Sequence, residues 1–236
     1  MRKRERLSVV ANEAVGLYTL IRVERGSLEP GIPGQFFMVE APGRLLPRPM
    51  SLCTAPPGEL GFLLDAIGPG TTAICEVEPG DTLHVFGPLG NGYRLDVERP
   101  LLVGGGIGIA PLPYLSEALG SPPALLGFRS DAHAVAAGLV PNAEIVVEPT
   151  YVTEPLRERL DHDVLACGPE PMLEAVAHVA AKHGRPSQVS VERVMGCGLG
   201  GCYSCVVRVR RDGQPHFVRA CLDGPVFDSD RLVWET

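Results

Sequence analysis

The sequence predicts a multidomain α+β protein: an N-terminal antiparallel β-barrel, a parallel α/β domain, and a small cysteine-rich module at the C-terminus. Three observations predict this architecture. Short β-type runs separated by Gly and Pro turns fill the first part of the chain. Strand-like and helix-like segments then alternate, and four cysteines cluster near the end. We therefore expect domains at residues 1–97, 98–186 and 187–236.

Composition excludes several classes of function. Of 236 residues, 45% are hydrophobic, and no apolar run approaches the length of a membrane span. A net charge of −7 argues against nucleic acid as the main partner. Residues 1–6 are charged but no apolar segment follows them, so we expect no secretory signal and a cytoplasmic protein.

The barrel is predicted from five β-type runs broken by Pro-Gly clusters. The runs are Leu7–Val10, Leu17–Val23, Gln35–Glu40, Gly61–Ala66 and Thr82–Phe86. Many short strands at this spacing are typical of a small antiparallel barrel.

The α/β domain begins where the pattern changes, after Arg99. An apolar run at Leu101–Val103 leads into a glycine loop and a helix reaching Leu119. Further strands are predicted at Ala124–Phe128, Glu144–Glu148 and Asp163–Ala166, then a helix over Glu170–His183 and a strand over Val189–Val194.

The C-terminal module contains Cys197, Cys202, Cys205 and Cys221. A hairpin predicted at Val206–Arg210 and His216–Arg219 separates the first three cysteines from Cys221. A C-x4-C-x2-C triplet with one distal cysteine is the ligand spacing of plant-type [2Fe–2S] proteins. The alternatives are a zinc site, which usually uses two short knuckles, and disulfides, which need an oxidising compartment.

Two segments of the barrel are candidates for cofactor binding. Arg48-Pro49-Met50-Ser51 combines a guanidinium suited to pyrophosphate with a hydroxyl suited to a flavin ring nitrogen. Gly68-Pro-Gly-Thr-Thr72 follows a strand and opens a helix, which is suited to a phosphate. Taken singly, Arg48 is better explained as a solvated loop charge, and the Gly68 segment is explained equally well as a plain helix cap.

Two further segments lie in the α/β domain. The loop Gly104-Gly105-Gly106-Ile107-Gly108 lies between a strand and a helix, the context of a dinucleotide-binding loop, although it also suits a structural turn. Cys167-Gly168 ends a predicted parallel strand, the edge at which open α/β sheets bind ligands; a buried, inert thiol is the alternative there.

These motifs, in this order and followed by the cysteines, resemble the ferredoxin–NADP reductase superfamily. Within it the chain is similar to the electron-transfer subunits of type B, NAD-linked dihydroorotate dehydrogenases. The resemblance covers nearly the whole chain, and its most specific segment is Glu192-Arg-Val-Met-Gly-Cys-Gly-Leu-Gly-Gly-Cys202.

The resemblance implies FAD on the barrel, a [2Fe–2S] cluster on the four cysteines, and NAD at the α/β domain. The residues matched to cofactor binding are Arg48, Pro49, Met50, Ser51, Leu63, Leu64, Asp65, Gly70, Thr71, Gly104, Gly105, Gly106, Gly108, Cys167 and Gly168. It also implies a partner, an FMN-containing dihydroorotate dehydrogenase catalytic subunit, in a heterotetramer of two copies of each. Electrons from dihydroorotate would pass through the cluster and FAD to NAD⁺ in pyrimidine biosynthesis, with no catalytic acid or base on this chain.

Two features depart from the family pattern. Met50 stands where many members carry an aromatic residue, and the acidic, Gly-rich loop expected near Glu148 is missing. We therefore expect a trimmed nucleotide site or a different acceptor. Alternative functions are an electron-transfer subunit of a ferredoxin:NADP transhydrogenase, hydrogenase or sulfite reductase complex, or a non-catalytic, zinc-stapled binding module.

Overall fold

The N-terminal part of the chain forms a six-stranded antiparallel sheet that curves into a half-closed barrel. The structure is a computed structural model and describes residues 3–159 and 161–234. The strands are β1 (Lys3–Val15), β2 (Tyr18–Glu24), β3 (Phe36–Val39), β4 (Arg48–Ser51), β5 (Glu59–Leu64) and β6 (Thr82–Leu89). Their order in the sheet is β4-β3-β6-β1-β2-β5, so β4 and β5 lie at its two ends.

The barrel is held together by side chains from alternate residues of its strands, which point into a shared core. Leu7 and Val9 on β1 and Ile21 and Val23 on β2 are buried in one apolar core. Ser8 and Arg22, which lie between the members of each pair, are only partly buried, as the two-residue period of a strand requires. Leu20 is buried on the other face of β2, in the core shared with the second sheet. Helix α1 (Pro69–Cys75) packs against this core through Ile74.

The middle of the chain forms a second six-stranded sheet. Its strands are β7 (Pro100–Gly105), β8 (Ala124–Phe128), β9 (Ala143–Val147), β10 (Asp163–Cys167), β11 (Ser187–Ser190) and β14 (Val226–Asp228), in the order β14-β11-β10-β7-β8-β9. The first five are parallel, and β14 pairs antiparallel with β11. The connections carry the helices α2 (Leu112–Ala118), α3 (Asp131–Ala134), α4 (Thr153–Leu156) and α5 (Glu170–Lys182).

The central strands of this sheet are buried on both faces, which explains their continuous apolar sequences. Leu101 and Val103 point to one core, and Leu102 between them points to the other. The strand predicted over Val189–Val194 is shorter in the structure, because β11 ends at Ser190 and the chain turns toward the cysteines.

The cysteine module consists of a loop, a two-stranded hairpin and one short helix. The hairpin pairs β12 (Val206–Arg211) with β13 (Gln214–Arg219), and α6 (Ala220–Asp223) follows. The module leaves the second sheet after β11 and returns to it at β14. The sheet therefore runs across the boundary expected between residues 186 and 187, and the three domain ranges stay predictions.

The cysteine module packs onto both other parts of the molecule. Cys205 and Cys221 share one buried core with Phe36 and Met38 of the barrel and with Val189 of the second sheet. Among the residues that the structure describes, no helix has the length and apolar character needed to span a bilayer.

Candidate functional site

A cleft lies where the barrel, the second sheet and the lead-in to the cysteines meet; we call it the barrel cleft. Ten of the residues expected to bind cofactors line it: Pro49, Met50, Ser51, Leu63, Leu64, Asp65, Thr71, Gly108, Cys167 and Gly168. Its walls are mostly apolar, with a few hydroxyl and carboxylate groups among them, which is typical of a cofactor site.

Arg48 and Gly70 lie next to this cleft but outside its lining. The Arg48 guanidinium donates a hydrogen bond of 2.8 Å to the Leu46 carbonyl. It occupies the space that a side chain on Gly70 would need, so the absence of a Cβ there lets the cation rest against the backbone of α1. Thr71 closes the same turn by accepting a 3.2 Å hydrogen bond from the Gly68 amide. A guanidinium beside the backbone amides that begin a helix is suited to a pyrophosphate.

Cys167 faces the barrel cleft from the end of β10. Burial raises the pKa of its thiol to about 12, a hydrogen bond with Ser190 opposes the rise, and the Glu192 carboxylate adds to it. The thiol is therefore protonated near neutral pH. Just before it, the Ala166 carbonyl accepts a 2.8 Å hydrogen bond from the buried hydroxyl of Tyr93, which ties this strand end to the barrel side.

A second cleft lies at the carboxyl edge of the parallel sheet; we call it the sheet-edge cleft. Its volume is about 530 Å³, within the usual range for a small-molecule site. Gly105 and Gly106 line it, as do residues that follow β8 and β9: Arg129, Glu148, Thr150 and Tyr151. The segment near Glu148, which lacks the acidic, Gly-rich loop of the family pattern, thus forms a wall of this cleft.

Gly104 lies in neither cleft. A Cβ at this position would lie 2.7 Å from Leu112 and 2.9 Å from Ile109, so its lack of a side chain serves the packing of α2 against β7.

Gly108 and Gly168 bring the two loops into direct contact. A Cβ on Gly108 would lie 2.6 Å from the Gly168 amide nitrogen and 2.7 Å from the Cys167 carbonyl oxygen. The two loops therefore touch where Gly168 lines the barrel cleft and the next residue, Pro169, lines the sheet-edge cleft.

The four cysteine thiols lie together in two pairs. Cys205 and Cys221 are buried, with their sulfurs 3.2 Å apart. Cys202 is exposed, and hydrogen bonds from Ser204 and then from Cys197 lower the pKa of its thiol to about 6. Burial raises the pKa of Cys221 to about 12, a hydrogen bond and the charge of Cys205 add to the rise, and a hydrogen bond from the Gly200 backbone opposes it. Within residues 3–159 and 161–234, no three Cys, His, Asp or Glu side chains converge on one metal-ion position.

The loop around the thiols fits the [2Fe–2S] group that its spacing predicts. The Leu199 amide points at the Cys197 sulfur from 3.3 Å, the kind of hydrogen bond that tunes cluster sulfurs. Gly198 has φ +67°, and a Cβ there would lie 2.7 Å from Met38 and 3.0 Å from Leu89. The loop is therefore seated closely on the barrel.

Sequence reasoning missed the residues that lead into the cysteine loop. Ser190, Glu192, Arg193 and Met195 line the barrel cleft opposite the barrel residues. The signal was available, because they lie in or beside the segment that carried the most specific resemblance. For Arg129 and Tyr151, the signal was their position after parallel strands.

Comparison with known proteins gives the same assignment. A family model described as "Iron-sulfur cluster binding domain of dihydroorotate dehydrogenase B" matches residues 192–233. A Geobacillus protein (strain WCH70) named "Dihydroorotate dehydrogenase B (NAD(+)), electron transfer subunit" is 34% identical over 259 residues, covering 99% of this chain and 100% of the relative. The chain belongs to the family of dihydroorotate dehydrogenase B electron-transfer subunits.

The aligned length also shows that this dihydroorotate dehydrogenase B family member is short. The alignment with the Geobacillus protein spans 259 positions and this chain has 236 residues, so at least 23 positions of the alignment are gaps in this chain. A trimmed loop after β9 is consistent with that shortening.

Solved structures support the fold. A chain from an NADH-dependent reduced ferredoxin–NADP oxidoreductase, described in the context of flavin-based electron bifurcation, superposes with a TM-score of 0.82 at 24% identity, covering 97% of this chain and 90% of that one. Phthalate dioxygenase reductase, described as a modular structure for electron transfer from pyridine nucleotides to [2Fe–2S], gives a TM-score of 0.65 at 15% identity, with 92% and 94% covered.

Proposed function

We propose that this chain is the electron-transfer subunit of a dihydroorotate dehydrogenase B, carrying electrons between a catalytic partner and NAD⁺ in pyrimidine biosynthesis. The observation that carries the proposal is that the three candidate sites adjoin one another. Gly105 and Gly106 line the sheet-edge cleft, Gly108 lines the barrel cleft, and Met195 links the barrel cleft to Cys197 two residues later.

The barrel cleft is assigned to FAD. Arg48 and the α1 turn at Gly70 and Thr71 would hold the pyrophosphate, while Ser51 and Asp65 offer a hydroxyl and a carboxylate to the polar edge of the ring. Met50 and Leu63 supply apolar contact. A bound flavin exchanges a hydride with a nicotinamide and single electrons with an iron–sulfur cluster, so it connects two-electron and one-electron chemistry.

The sheet-edge cleft is assigned to NAD(H). Gly105 and Gly106 permit close approach of a nucleotide to the backbone, Arg129 supplies a cation for a phosphate, and Tyr151 supplies an exposed ring. Because Gly108 and Gly168 carry no side chains, nothing but backbone lies at this edge of the barrel cleft, and the nicotinamide end would pass over it to reach the ring. Hydride transfer between a nicotinamide and a flavin requires no residue of this chain to move a proton.

Cys197, Cys202, Cys205 and Cys221 are assigned to a [2Fe–2S] cluster. Around them lie three exposed apolar side chains, Val194, Leu199 and Tyr203, with 80%, 52% and 63% of their surface accessible. We propose that this patch contacts the catalytic subunit, because a cluster must approach the next redox centre and exposed apolar patches mark interaction sites. An FMN in that subunit, a heterotetramer of two copies of each subunit, and a cytoplasmic location complete the proposal.

Anaerobic stopped-flow spectroscopy of the purified chain tests the assignment. Mixing with NADH should bleach the flavin band first and the iron–sulfur band afterwards, and adding the catalytic subunit should give dihydroorotate-dependent reduction of NAD⁺. A colourless protein without iron or flavin would refute the proposal. Unbleached flavin at millimolar NADH would refute the NAD assignment, and activity only with a different redox partner would favour one of the alternative complexes.

A further inference from the structure

Arg219 contacts the cysteine loop on both sides of Cys202. Its Nη1 donates a hydrogen bond of 2.9 Å to the Gly200 carbonyl. Its guanidinium carbon lies 4.9 Å from the centre of the Tyr203 ring, within the range of a cation–π interaction. Because Arg219 precedes Cys221 by two positions, one side chain connects both segments that carry the cysteines.

Gly200 is fixed between Arg219 and Cys221. Its φ is +78°, and a Cβ at this position would collide with the Leu222 side chain, so the loop approaches α6 closely here. Its backbone also forms a hydrogen bond with the Cys221 thiol. The hydrogen bond from Arg219 to the Gly200 carbonyl therefore holds Gly200 in place, and Gly200 is itself hydrogen-bonded to Cys221, a candidate cluster ligand.

The positive charge of Arg219 is not neutralised by a carboxylate at ion-pair distance anywhere in the described chain. Asp223 is close, but its carboxylate accepts a 3.2 Å hydrogen bond from the Arg219 backbone amide. The potential of an iron–sulfur site depends on nearby charge, on hydrogen bonds to its sulfurs and on solvent exposure. A cation held against the loop that carries Cys202 favours the reduced form, which carries one more negative charge.

We propose that Arg219 is a positioning residue of the iron–sulfur site. Arg219 raises the reduction potential of that site and fixes the Cys202 loop against the Cys221 segment. The proposal rests on the proposed function in one respect, namely that the four cysteines bind a cluster.

The test compares three variants of the purified holoprotein. Arg219→Gln removes the charge, and Arg219→Lys keeps the charge but loses the planar fork. Arg210→Gln is the matched control, because Arg210 is exposed on the same hairpin and pairs with Pro215. That pair lies four positions from the Val206–Arg219 pair, about 13 Å along the strand. The readouts are the potential from spectroelectrochemical titration, the electron paramagnetic resonance spectrum of the reduced protein, and the rate of iron loss to a chelator.

Arg219→Gln is expected to lower the equilibrium constant for reduction about tenfold, which is about 59 mV for a one-electron couple, and to shift the resonance spectrum. Arg219→Lys is expected to show a smaller drop with faster iron loss, and Arg210→Gln should match the parent protein. Arg219→Gln with full iron and an unshifted potential would overturn the proposal, as would an equal shift in Arg210→Gln. If Arg219→Gln does not retain iron, Arg219→Lys decides: parental potential and parental iron loss would overturn the proposal. A parent protein without iron would remove the proposed function and this inference together.

Discussion

The guanidinium of Arg193 holds the carboxylate of Glu170 through two hydrogen bonds, of 2.7 and 3.1 Å. Glu170 begins α5 beside Pro169 and Pro171, which line the sheet-edge cleft, and Arg193 lines the barrel cleft. One ion pair therefore joins the two clefts and anchors the lead-in to the cysteine loop.

Removing this pair should destabilise the junction. Both side chains are partly exposed, 23% for Arg193 and 39% for Glu170, so screening limits the gain from the pair. We expect Glu170→Gln to lower the free energy of unfolding by about 1 kcal/mol, an effect that salt should reduce. A double-mutant cycle with Arg193→Gln measures the coupling, and Glu174→Gln, one turn along α5, is the control. A coupling energy of zero would contradict a stabilising ion pair between Glu170 and Arg193.

Gly108→Ala should separate the two loops that meet between the clefts. The added methyl would meet backbone atoms of Cys167 and Gly168, which cannot swing aside as a flexible side chain can. We expect a loss of about 1–3 kcal/mol of stability and slower reduction of the flavin by NADH. Gly138→Ala is the control, because a Cβ there meets nothing within 4 Å. Equal thermal midpoints for both variants would be inconsistent with the contact described above.

Arg48→Ala should weaken flavin binding. Charge-assisted hydrogen bonds to phosphate are worth about 1.5–3 kcal/mol, so the dissociation constant of FAD is expected to rise about 10- to 150-fold. Fluorescence titration of the apoprotein gives that constant. Arg44→Ala removes an exposed arginine from the loop that precedes β4 and should leave the dissociation constant unchanged. Identical constants for the two variants would place the pyrophosphate elsewhere.

Arg129→Ala should affect the nucleotide and leave the flavin in place. With the cation gone from the sheet-edge cleft, we expect KM for NADH to rise about tenfold at unchanged flavin content. Steady-state diaphorase assays with a dye acceptor measure it. Arg157→Ala, an exposed change after α4, serves as the comparison. An unchanged KM in Arg129→Ala would argue that the nucleotide phosphates bind away from this residue.

Alkaline pH should reveal the buried thiol of Cys53. Burial raises its pKa from the ordinary 9.0 to about 12. Above pH 9 the unfolded chain releases this proton while the folded chain keeps it, so rising pH favours unfolding. The contribution is about 1.4 kcal/mol per pH unit between the two values. Thermal midpoints of Cys53→Ala should fall less steeply between pH 9 and 10.5 than those of the parent and run parallel to them below pH 8. Parallel curves throughout would contradict the shift.

Local patterns were sufficient to predict most of the strands and the order of the parts. Leu101–Val103 was recognisable because a strand buried on both faces has a continuous apolar sequence. The glycine loop predicted after it starts inside the strand, because β7 includes Gly104 and Gly105, and only the later glycines lie between β7 and α2. Pairings over long separations were not predictable. The antiparallel partnership of β14 with β11 joins segments more than thirty residues apart and leaves no periodic signal in either.

The same limit applies to the candidate site. A glycine loop indicates close approach, but only the packing distinguishes Gly104, which accommodates Leu112, from Gly105 and Gly106, which line a cleft. The partnership of Glu170 with Arg193 likewise depends on how α5 lies against the cysteine lead-in. Spacing predicted the four cysteines as a set, yet their division into a buried pair and a more accessible pair required the three-dimensional arrangement.

The return of the chain to the second sheet at β14 has a mechanical consequence for the cysteine module. A module tethered at both ends has no single hinge about which it can swing, and Gly198 fits closely against Met38 and Leu89. The separation between the barrel cleft and the thiols is thereby built into the fold. Electron passage inside this subunit needs no domain rotation, so its rate should not depend on solvent viscosity.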